Sequence, residues 1–261
     1  MQRYKRLLSI LKSLDSAVVA CSGGVDSTLL IKAAKDSNIN ALAVTGKSPT
    51  IPSADLNEAI AMASEIGLPH RVIQTSEMQR REFRENNRER CFFCKDTLFG
   101  ELKTLALKEG YQWVVEGSNL DDLKDYRPGL RARDLHGVRS PLIEAGLAKE
   151  DIREISRALG LKTWNRPASP CLSSRFPYGL PITEGELKMV EEAESFLGAL
   201  GFRGLRVRHH GDLARIEVGA EDIERFFDPE LRRKVVSHLR GLGYKYISLD
   251  LEGFKSGKLN R

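Results

Sequence analysis

The sequence lacks long apolar runs, has few cysteines and contains no repeated segment. No apolar run approaches the roughly 18 to 20 residues that cross a bilayer, and the start, MQRYKRLLSILKSLDS, has no apolar signal-peptide core. Its four cysteines are too few and too unevenly spaced for a secreted disulfide framework; they are Cys21, Cys91, Cys94 and Cys171. We therefore expect a soluble cytoplasmic protein with no membrane partner.

The net charge of +5 belongs to the first part of the chain. The 14 basic and 14 acidic residues of 181–261 balance, so residues 1–180 carry the whole excess. A positive field favours anionic partners such as a nucleotide or RNA. Within the basic cluster at 79–90, however, glutamates alternate with arginines, as in an ordinary solvated helix face. The charge alone does not choose between these interpretations.

Short apolar runs alternate with helical patterns along the first 166 residues, which predicts a parallel sheet covered by helices on both faces. The stretch 167–183 contains four prolines and cannot form a long regular element. We predict a doubly wound α/β domain at 1–166, a linker and active-site loop at 167–183, and a smaller α+β domain at 184–261.

A glycine-rich turn, Ser22-Gly23-Gly24-Val25-Asp26-Ser27, lies between the first predicted strand and its helix. The glycines let the backbone turn tightly and approach a ligand. Serine hydroxyls and the N–H groups at the start of the helix provide donors for an anion. The spacing matches neither the dinucleotide motif nor the lysine-containing phosphate loop. The turn therefore predicts an anion-binding cradle at the carboxyl end of the sheet.

The SGGVDS turn resembles the pyrophosphate loop of the ATP-pyrophosphatase (PP-loop) superfamily, whose members cleave ATP to AMP and pyrophosphate. The resemblance implies that the turn holds the leaving pyrophosphate and that Asp26 helps to position Mg²⁺ or the triphosphate, a suitable task for a hard oxygen ligand. By the same resemblance, Thr45, at the end of the second predicted strand, lies against adenine or ribose.

Three further segments narrow the resemblance: EGSNLDDLKDYRPGL at 116–130, VRSPLIE at 138–144 and CLSSRFPYG at 171–179. Together with the turn they resemble the LarE family of ATP-dependent sulfur transferases, which build the nickel-pincer nucleotide cofactor of lactate racemase. The family's reaction adenylates a carboxylate of pyridinium-3,5-biscarboxylic acid mononucleotide and then replaces AMP with sulfur, leaving a thiocarboxylate. The resemblance also implies a homo-oligomer.

Cys171 is the predicted catalytic cysteine. A carboxylate becomes a good acyl donor once it is coupled to AMP, and a sulfur nucleophile must then reach the acyl carbon. Cys171 lies in the proline-rich loop, where a nucleophile could move, and the nearby cation Arg175 would favour its thiolate. By resemblance, Ser174, Gly117 and Asp122 help to bind the nucleotides.

Arg206 and Arg208 alternate along a predicted strand of the second domain. The resemblance assigns them to a substrate phosphate, which suits the fork geometry of arginine, and it assigns Glu194 and Glu217 to a divalent metal. Alternating arginines are equally typical of a solvated strand face. Both interpretations stay open.

Cys91 and Cys94 form a CxxC pair, which alone fits a redox dithiol, half of a zinc site or part of an iron–sulfur site. The sequence offers no second pair suited to zinc, and Cys21, which ends an apolar strand, is expected to be buried. With Cys171 the pair makes three thiolates, which would leave one iron of a [4Fe–4S] cluster able to hold a transferable sulfide. Family members with this trio resemble the cluster-dependent type; in others the loop cysteine sacrifices its own sulfur.

Two rival functions fit parts of the sequence. Some tRNA thiolation enzymes have the same loop, and a basic domain suits RNA, but the chain has no zinc ribbon or obvious RNA-binding appendage. A non-catalytic carrier of sulfur or nucleotide would keep the fold without turnover, but the intact turn argues against it.

From the family resemblance and the three cysteines, we expect ATP, Mg²⁺ and a [4Fe–4S] cluster as cofactors, and a small nucleotide as the substrate.

Overall fold

The computed structural model describes residues 1–255. The seven strands of this part of the chain are β1 Ser16–Ala20, β2 Asn40–Lys47, β3 His70–Gln74, β4 Trp113–Val115, β5 Arg206–His210, β6 Leu213–Glu217 and β7 Tyr246–Leu249. Its α-helices are α1 Gln2–Lys12, α2 Val25–Asp36, α3 Ser53–Ile66, α4 Arg81–Arg84, α5 Arg90–Glu109, α6 Pro128–Leu135, α7 Pro141–Glu144, α8 Lys149–Ala158, α9 Glu184–Ala199 and α10 Pro229–Gly241. Short 3₁₀ helices span Glu77–Gln79, Leu120–Lys124, Leu172–Arg175 and Ala220–Phe227.

The chain forms two compact units. The first comprises 1–80 and 89–169, and the second comprises 81–88 and, among the described residues, 170–255. The predicted division did not anticipate the assignment of 81–88 to the second unit. Hydrogen bonds explain it, because the Asn86 amide donates to the carbonyl oxygens of Pro177 and Leu180. The main-chain N–H of Ile182 also donates to the carbonyl oxygen of Arg84.

The first unit is built on a four-stranded parallel sheet in the order β3-β2-β1-β4. Neighbouring residues of β1 pack on opposite faces: Val18 lies in a cluster with Phe99 and Leu102 of α5, and Val19 lies in a cluster with Leu29 of α2. Helices therefore cover both faces, as predicted for a doubly wound α/β fold. The sheet is parallel, so the turns after its strands meet at one edge.

The second unit contains a three-stranded sheet in the order β5-β6-β7, with β5 antiparallel to β6 and β7 parallel to β6. Helix α9 begins with a capping box, in which Thr183 and Glu186 satisfy each other's main-chain N–H groups. Its buried Leu197 packs with Ile216 of the sheet and Leu239 of α10. The structure bears out the smaller α+β unit expected from the sequence.

No helix among residues 1–255 is both long enough and apolar enough to cross a membrane. The longest helix, α5, spans twenty residues, several of which are charged. Its buried face packs against the sheet through Phe99, Leu102 and Ala106.

Two leucines of α5 offer a matched test of this packing, because Leu102 is fully buried and Leu107 is 79% exposed. We expect Leu102→Ala to lower the free energy of unfolding by about 2–5 kcal/mol, through lost apolar contacts and the cavity left behind. Leu107→Ala should change it by less than about 0.5 kcal/mol. Urea denaturation of both variants measures the difference, and equal effects would contradict the packing of α5 described above.

Candidate active site

The predicted anion cradle is a hydrogen-bonded turn that follows β1. The Ser27 hydroxyl accepts from the Ser22 N–H at 3.2 Å, lies 3.2 Å from the Ser22 hydroxyl and donates to the Gly24 carbonyl oxygen at 3.1 Å. Gly23 has φ +72°, and a Cβ there would lie 3.1 Å from the main-chain nitrogen of Ala59 in α3. The turn is therefore held by its own side chains and requires glycine at position 23.

The N–H groups of the first turn of α2 have no intrahelical acceptor, because the helix begins at Val25. They lie at the positive end of the helix dipole, an arrangement that favours phosphate. Gly24 precedes them in extended conformation. The backbone geometry thus suits the predicted binding of pyrophosphate by the turn.

Asp26, in the first turn of α2, meets two distant segments of the first unit. One carboxylate oxygen accepts from the Lys149 ammonium at 2.6 Å, and the other accepts from the Asn119 amide at 3.5 Å. Lys149 opens α8, where its main-chain N–H donates to Asp121 at 2.9 Å. Sequence reasoning missed Lys149, because a single lysine at the start of an amphipathic helix is indistinguishable from a surface residue.

Burial raises the pKa of Asp26 above its ordinary value, and the neighbouring charge of Asp122 acts in the same direction. The hydrogen bond and charge of Lys149 oppose this effect, as does the Asn119 amide to a smaller degree. Lys149 is thus the cation that favours an ionised Asp26. The role of Asp26 as a Mg²⁺ ligand stays a prediction, and the metal would have to compete with Lys149 for one carboxylate oxygen.

The EGSN segment supports the turn from the end of β4. A Cβ on Gly117 would lie 3.1 Å from the main-chain nitrogen of Ser27, so a larger residue there would push against the turn. Asp122 forms a capping box with Asn119 and pairs with Arg127 at 2.9 Å. The structure therefore brings Gly117 and Asp122 close to the turn, and their contact with a nucleotide stays a prediction.

Thr45 and Cys21 lie at the carboxyl ends of β2 and β1. Thr45 is buried, and its hydroxyl lies 2.9 Å from the ring nitrogen Nε2 of His70. Cys21 is also buried, as expected, and burial raises the pKa of its thiol. Packing accounts for Cys21, whereas the adenine or ribose contact of Thr45 stays a prediction.

The CxxC pair lies on the first turn of α5, which begins at Arg90. Positions three apart on a helix lie on one face, so Cys91 and Cys94 share a side of α5. Cys91 is exposed and Cys94 is half-buried. This spacing suits two ligands of one metal or cluster.

In the second unit, Arg175 organises the loop that contains Cys171. Its side chain is 2% exposed, and its guanidinium forms two hydrogen bonds with Glu194, at 2.8 and 3.0 Å. It also donates to the carbonyl oxygens of Pro170 and Cys171 and to the Ser174 hydroxyl. The Arg175 charge is balanced by Glu194, and the guanidinium contacts the main chain of Cys171. A catalytic role for Arg175 stays a prediction.

Arg208 and Glu217 form a second buried pair beside this loop. The guanidinium donates to one Glu217 oxygen at 2.7 and 2.9 Å and to the Ser174 carbonyl oxygen at 3.0 Å. Arg208 is therefore no part of a solvated strand face. Arg206 is less buried and stacks over the Phe254 ring.

Glu194 and Glu217 are the predicted metal ligands, and the negative charge of each is already balanced by an arginine. Glu194 also accepts a hydrogen bond from the Val207 N–H. Among residues 1–255, no group of three or more histidine, cysteine, aspartate or glutamate side chains is arranged to hold a metal ion. A divalent metal at either glutamate would have to compete with its guanidinium. The metal role of these residues and the three-cysteine cluster stay predictions.

No family model matches the chain. The chain is 37% identical over 258 residues to the pyridinium-3,5-bisthiocarboxylic acid mononucleotide synthase of Lactiplantibacillus plantarum, covering 97% of this chain and 92% of that protein. The chain belongs to the family of this synthase. This synthase-family chain is also 45% identical over 260 residues to an uncharacterized protein of Synechocystis sp., covering 99% and 97% of the two chains.

Two solved structures resemble the synthase-family chain in fold. NMN synthetase from Francisella tularensis has a TM-score of 0.53 and 16% identity, covering 76% of this chain and 85% of that one. NH₃-dependent NAD synthetase from Campylobacter jejuni has a TM-score of 0.50 and 15% identity, covering 94% and 95%. Both likenesses agree with the predicted α/β architecture. At these identities they establish the fold alone.

The pairing of Asp26 with Lys149 can be tested in the protein without any ligand. We expect Lys149→Met to raise the pKa of Asp26 further, because the burial that disfavours the carboxylate loses its main counterweight. Lys124→Met is the control, since Lys124 pairs with Asp121 at 3.0 Å and not with Asp26. A carboxyl ¹³C NMR titration measures both pKa values.

The same substitution should affect stability in a pH-dependent way. A carboxyl whose pKa is raised by folding contributes no penalty below its unfolded pKa, where it is protonated in both states. This loss of stability grows as the pH rises from the unfolded pKa to the higher folded pKa, and it stays constant above the folded pKa. Lys149→Met should therefore destabilise the fold at neutral pH more than in acid, and a pH-independent loss would contradict the ion pair.

Proposed function

We propose that the chain is an ATP-dependent sulfur transferase that converts carboxylates of pyridinium-3,5-biscarboxylic acid mononucleotide into thiocarboxylates. The observation that carries the proposal is the hydrogen-bonded SGGVDS turn, with Asp26 and Lys149 at its helix. It is supported by 37% identity to a synthase named for the bisthiocarboxylic product. Products of the first half-reaction would be pyrophosphate and an acyl adenylate.

In the first half-reaction, a substrate carboxylate oxygen attacks the α-phosphorus of ATP. The bond from that phosphorus to the bridging oxygen breaks, and pyrophosphate leaves with the electron pair. Gly24 and the N–H groups of the first turn of α2 would bind the leaving group. Asp26 would help to hold Mg²⁺, which supplies charge neutralisation on the phosphates when bound. Lys149 lies close enough to Asp26 to add a second cation there.

In the second half-reaction, sulfur attacks the acyl carbon, the carbon–oxygen bond to AMP breaks, and AMP leaves. Cys171 is the proposed sulfur-bearing or sulfur-delivering residue. Arg175 and Arg208 would position its loop through the main-chain bonds described above. By the family resemblance, Arg206, which is less buried than Arg208, would contact a substrate phosphate.

For the sulfur source, we propose a [4Fe–4S] cluster held by Cys91, Cys94 and Cys171. Its support is the position of Cys91 and Cys94 on one helical turn, which fits two ligands of a cluster. The chemistry that the cluster would supply is a transferable sulfide. In the alternative, the Cys171 thiolate displaces AMP to form a thioester, and loss of the Cα proton then breaks the Cβ–S bond, which leaves dehydroalanine at position 171 and the thiocarboxylate on the substrate.

The substrate assignment is tested by pyrophosphate release. We expect Mg²⁺-ATP to yield pyrophosphate when the pyridinium biscarboxylate mononucleotide is added, and not when unmodified tRNA is added. Asp26→Asn should slow release roughly a hundredfold, because it removes charge stabilisation at the phosphates. Pyrophosphate release with tRNA but not with the mononucleotide would instead favour tRNA thiolation. If neither substrate causes release, both assignments are contradicted.

The cysteines are tested by separating the two half-reactions. We expect Cys171→Ala to retain pyrophosphate release and to lose thiocarboxylate formation, because adenylation does not need the sulfur. Under the cluster proposal, Cys91→Ser and Cys94→Ser lose iron, acid-labile sulfide and thiocarboxylate formation, whereas the buried control Cys21→Ala keeps all three.

Analysis of anaerobically purified protein separates the two sulfur sources. Active protein that contains no iron or acid-labile sulfide would rule out the cluster. Loss of the mass of one H₂S from Cys171 after turnover would establish the sacrificial route.

A further inference from the structure

Arg166 contacts the main chain of the SGGVDS turn, and none of the roles proposed above involves it. Its guanidinium donates to the Gly23 carbonyl oxygen at 3.0 Å and to Asp55 at 2.7 Å, and it pairs with Glu58 at 2.9 Å. Asp55 and Glu58 lie in the first turns of α3. Arg166 therefore connects the backbone of the turn with two carboxylates of a neighbouring helix.

The bond to Gly23 has a direct effect on the anion cradle. A peptide unit is planar and trans, so its C=O and the following N–H point in opposite directions. The carbonyl of Gly23 points to Arg166, and the N–H of Gly24 in the same peptide unit must therefore point away from Arg166. Holding the carbonyl thus sets the direction of a donor that the turn offers to an anion.

This restraint matters because the peptide unit that carries the Gly24 N–H lies between two glycines. Glycine populates more backbone conformations than other residues, and the peptide unit between two glycines can rotate readily. Gly23 adopts φ +72°, and Ala59 of α3 packs directly against it. The helix limits the position of the turn, and Arg166 limits the rotation of its peptide.

The Asp55 carboxylate also holds the chain that follows Arg166. The Ser169 hydroxyl donates to the second oxygen of Asp55 at 2.8 Å. The Arg153 side chain of α8 donates to the Arg166 carbonyl oxygen at 3.2 Å. The segment 166–169, which precedes Cys171 by two residues, is thus attached to the helix that supports the turn.

We propose that Arg166, held by Asp55, is a positioning residue for pyrophosphate and ATP binding: it orients the Gly24 N–H toward the anion. Arg166 contacts no reacting atom itself. The inference rests on the proposed function, in which the turn binds the leaving pyrophosphate.

The test measures binding of inorganic pyrophosphate and of Mg²⁺-ATP by calorimetry to the full chain. We expect Arg166→Met to weaken both about tenfold to a hundredfold, the effect of losing a hydrogen bond to a charged donor. Arg166→Lys should recover part of the affinity, because lysine keeps the charge but cannot hold Gly23 and Asp55 with one planar fork. The matched control is Lys162→Met, since Lys162 pairs with Glu65 at the other end of α3.

A double variant distinguishes positioning from general support. If Arg166 and Asp55 act as one unit, the double variant Arg166→Met with Asp55→Asn should bind pyrophosphate no more weakly than the weaker single variant. Independent structural contributions would instead add. Thermal denaturation of each variant shows whether the fold is retained.

Native affinity for pyrophosphate in Arg166→Met would overturn the inference. If that variant does not fold, native affinity in both Arg166→Lys and Asp55→Asn would overturn it equally. A native protein that binds neither pyrophosphate nor Mg²⁺-ATP would count against the proposed function instead, so the two failures are distinguishable.

Discussion

The edge of the sheet where the candidate site lies depends on the ion pair between Asp26 and Lys149. A half-buried carboxylate next to the positive end of α2 needs a cation, and Lys149 provides it from a segment more than 120 positions later in the chain. Asn119 approaches the same carboxylate from the turn after β4. One side chain thus brings together the starts of two helices and an intervening loop. A buried charge of this kind is costly when it stands alone, which explains why three segments converge on it.

In the second unit, buried arginine–glutamate pairs hold the loop that contains Cys171. Two buried arginines, each paired with a glutamate, donate to main-chain oxygens of the loop that contains Cys171. The glutamates compensate the charge, and the guanidinium forks still have donors left for the backbone. A loop rich in prolines can form few main-chain hydrogen bonds of its own, because proline has no N–H. Arg175 of the loop itself, held by Glu194 of α9, and Arg208 of the sheet supply the missing restraints.

Much of the fold could be predicted from the sequence, because the evidence is local. The apolar runs of β1 and β2, the glycine turn and the burial of Cys21 all follow from neighbouring residues. Lys149 and Arg166 could not be found in this way, since each acts through contacts more than a hundred positions away. The start of α5 at Arg90 has no clear signal in the sequence, because its first turn presents aromatic and cysteine residues instead of an amphipathic pattern. Side-chain contacts between distant segments, such as Asn86 with 177–180, have no periodic signature at all.

Because the Cys171 loop is held through its carbonyl oxygens, changes in its sequence and changes in its length have different effects. Every residue has a carbonyl, so a bond from Arg175 to the main chain of position 171 survives exchange of the side chain there. An inserted or deleted residue between 170 and 174 would, in contrast, move each carbonyl away from its guanidinium. The loop is therefore tolerant of chemical change and intolerant of a change in length, so related chains can alter its reactive groups while keeping its course.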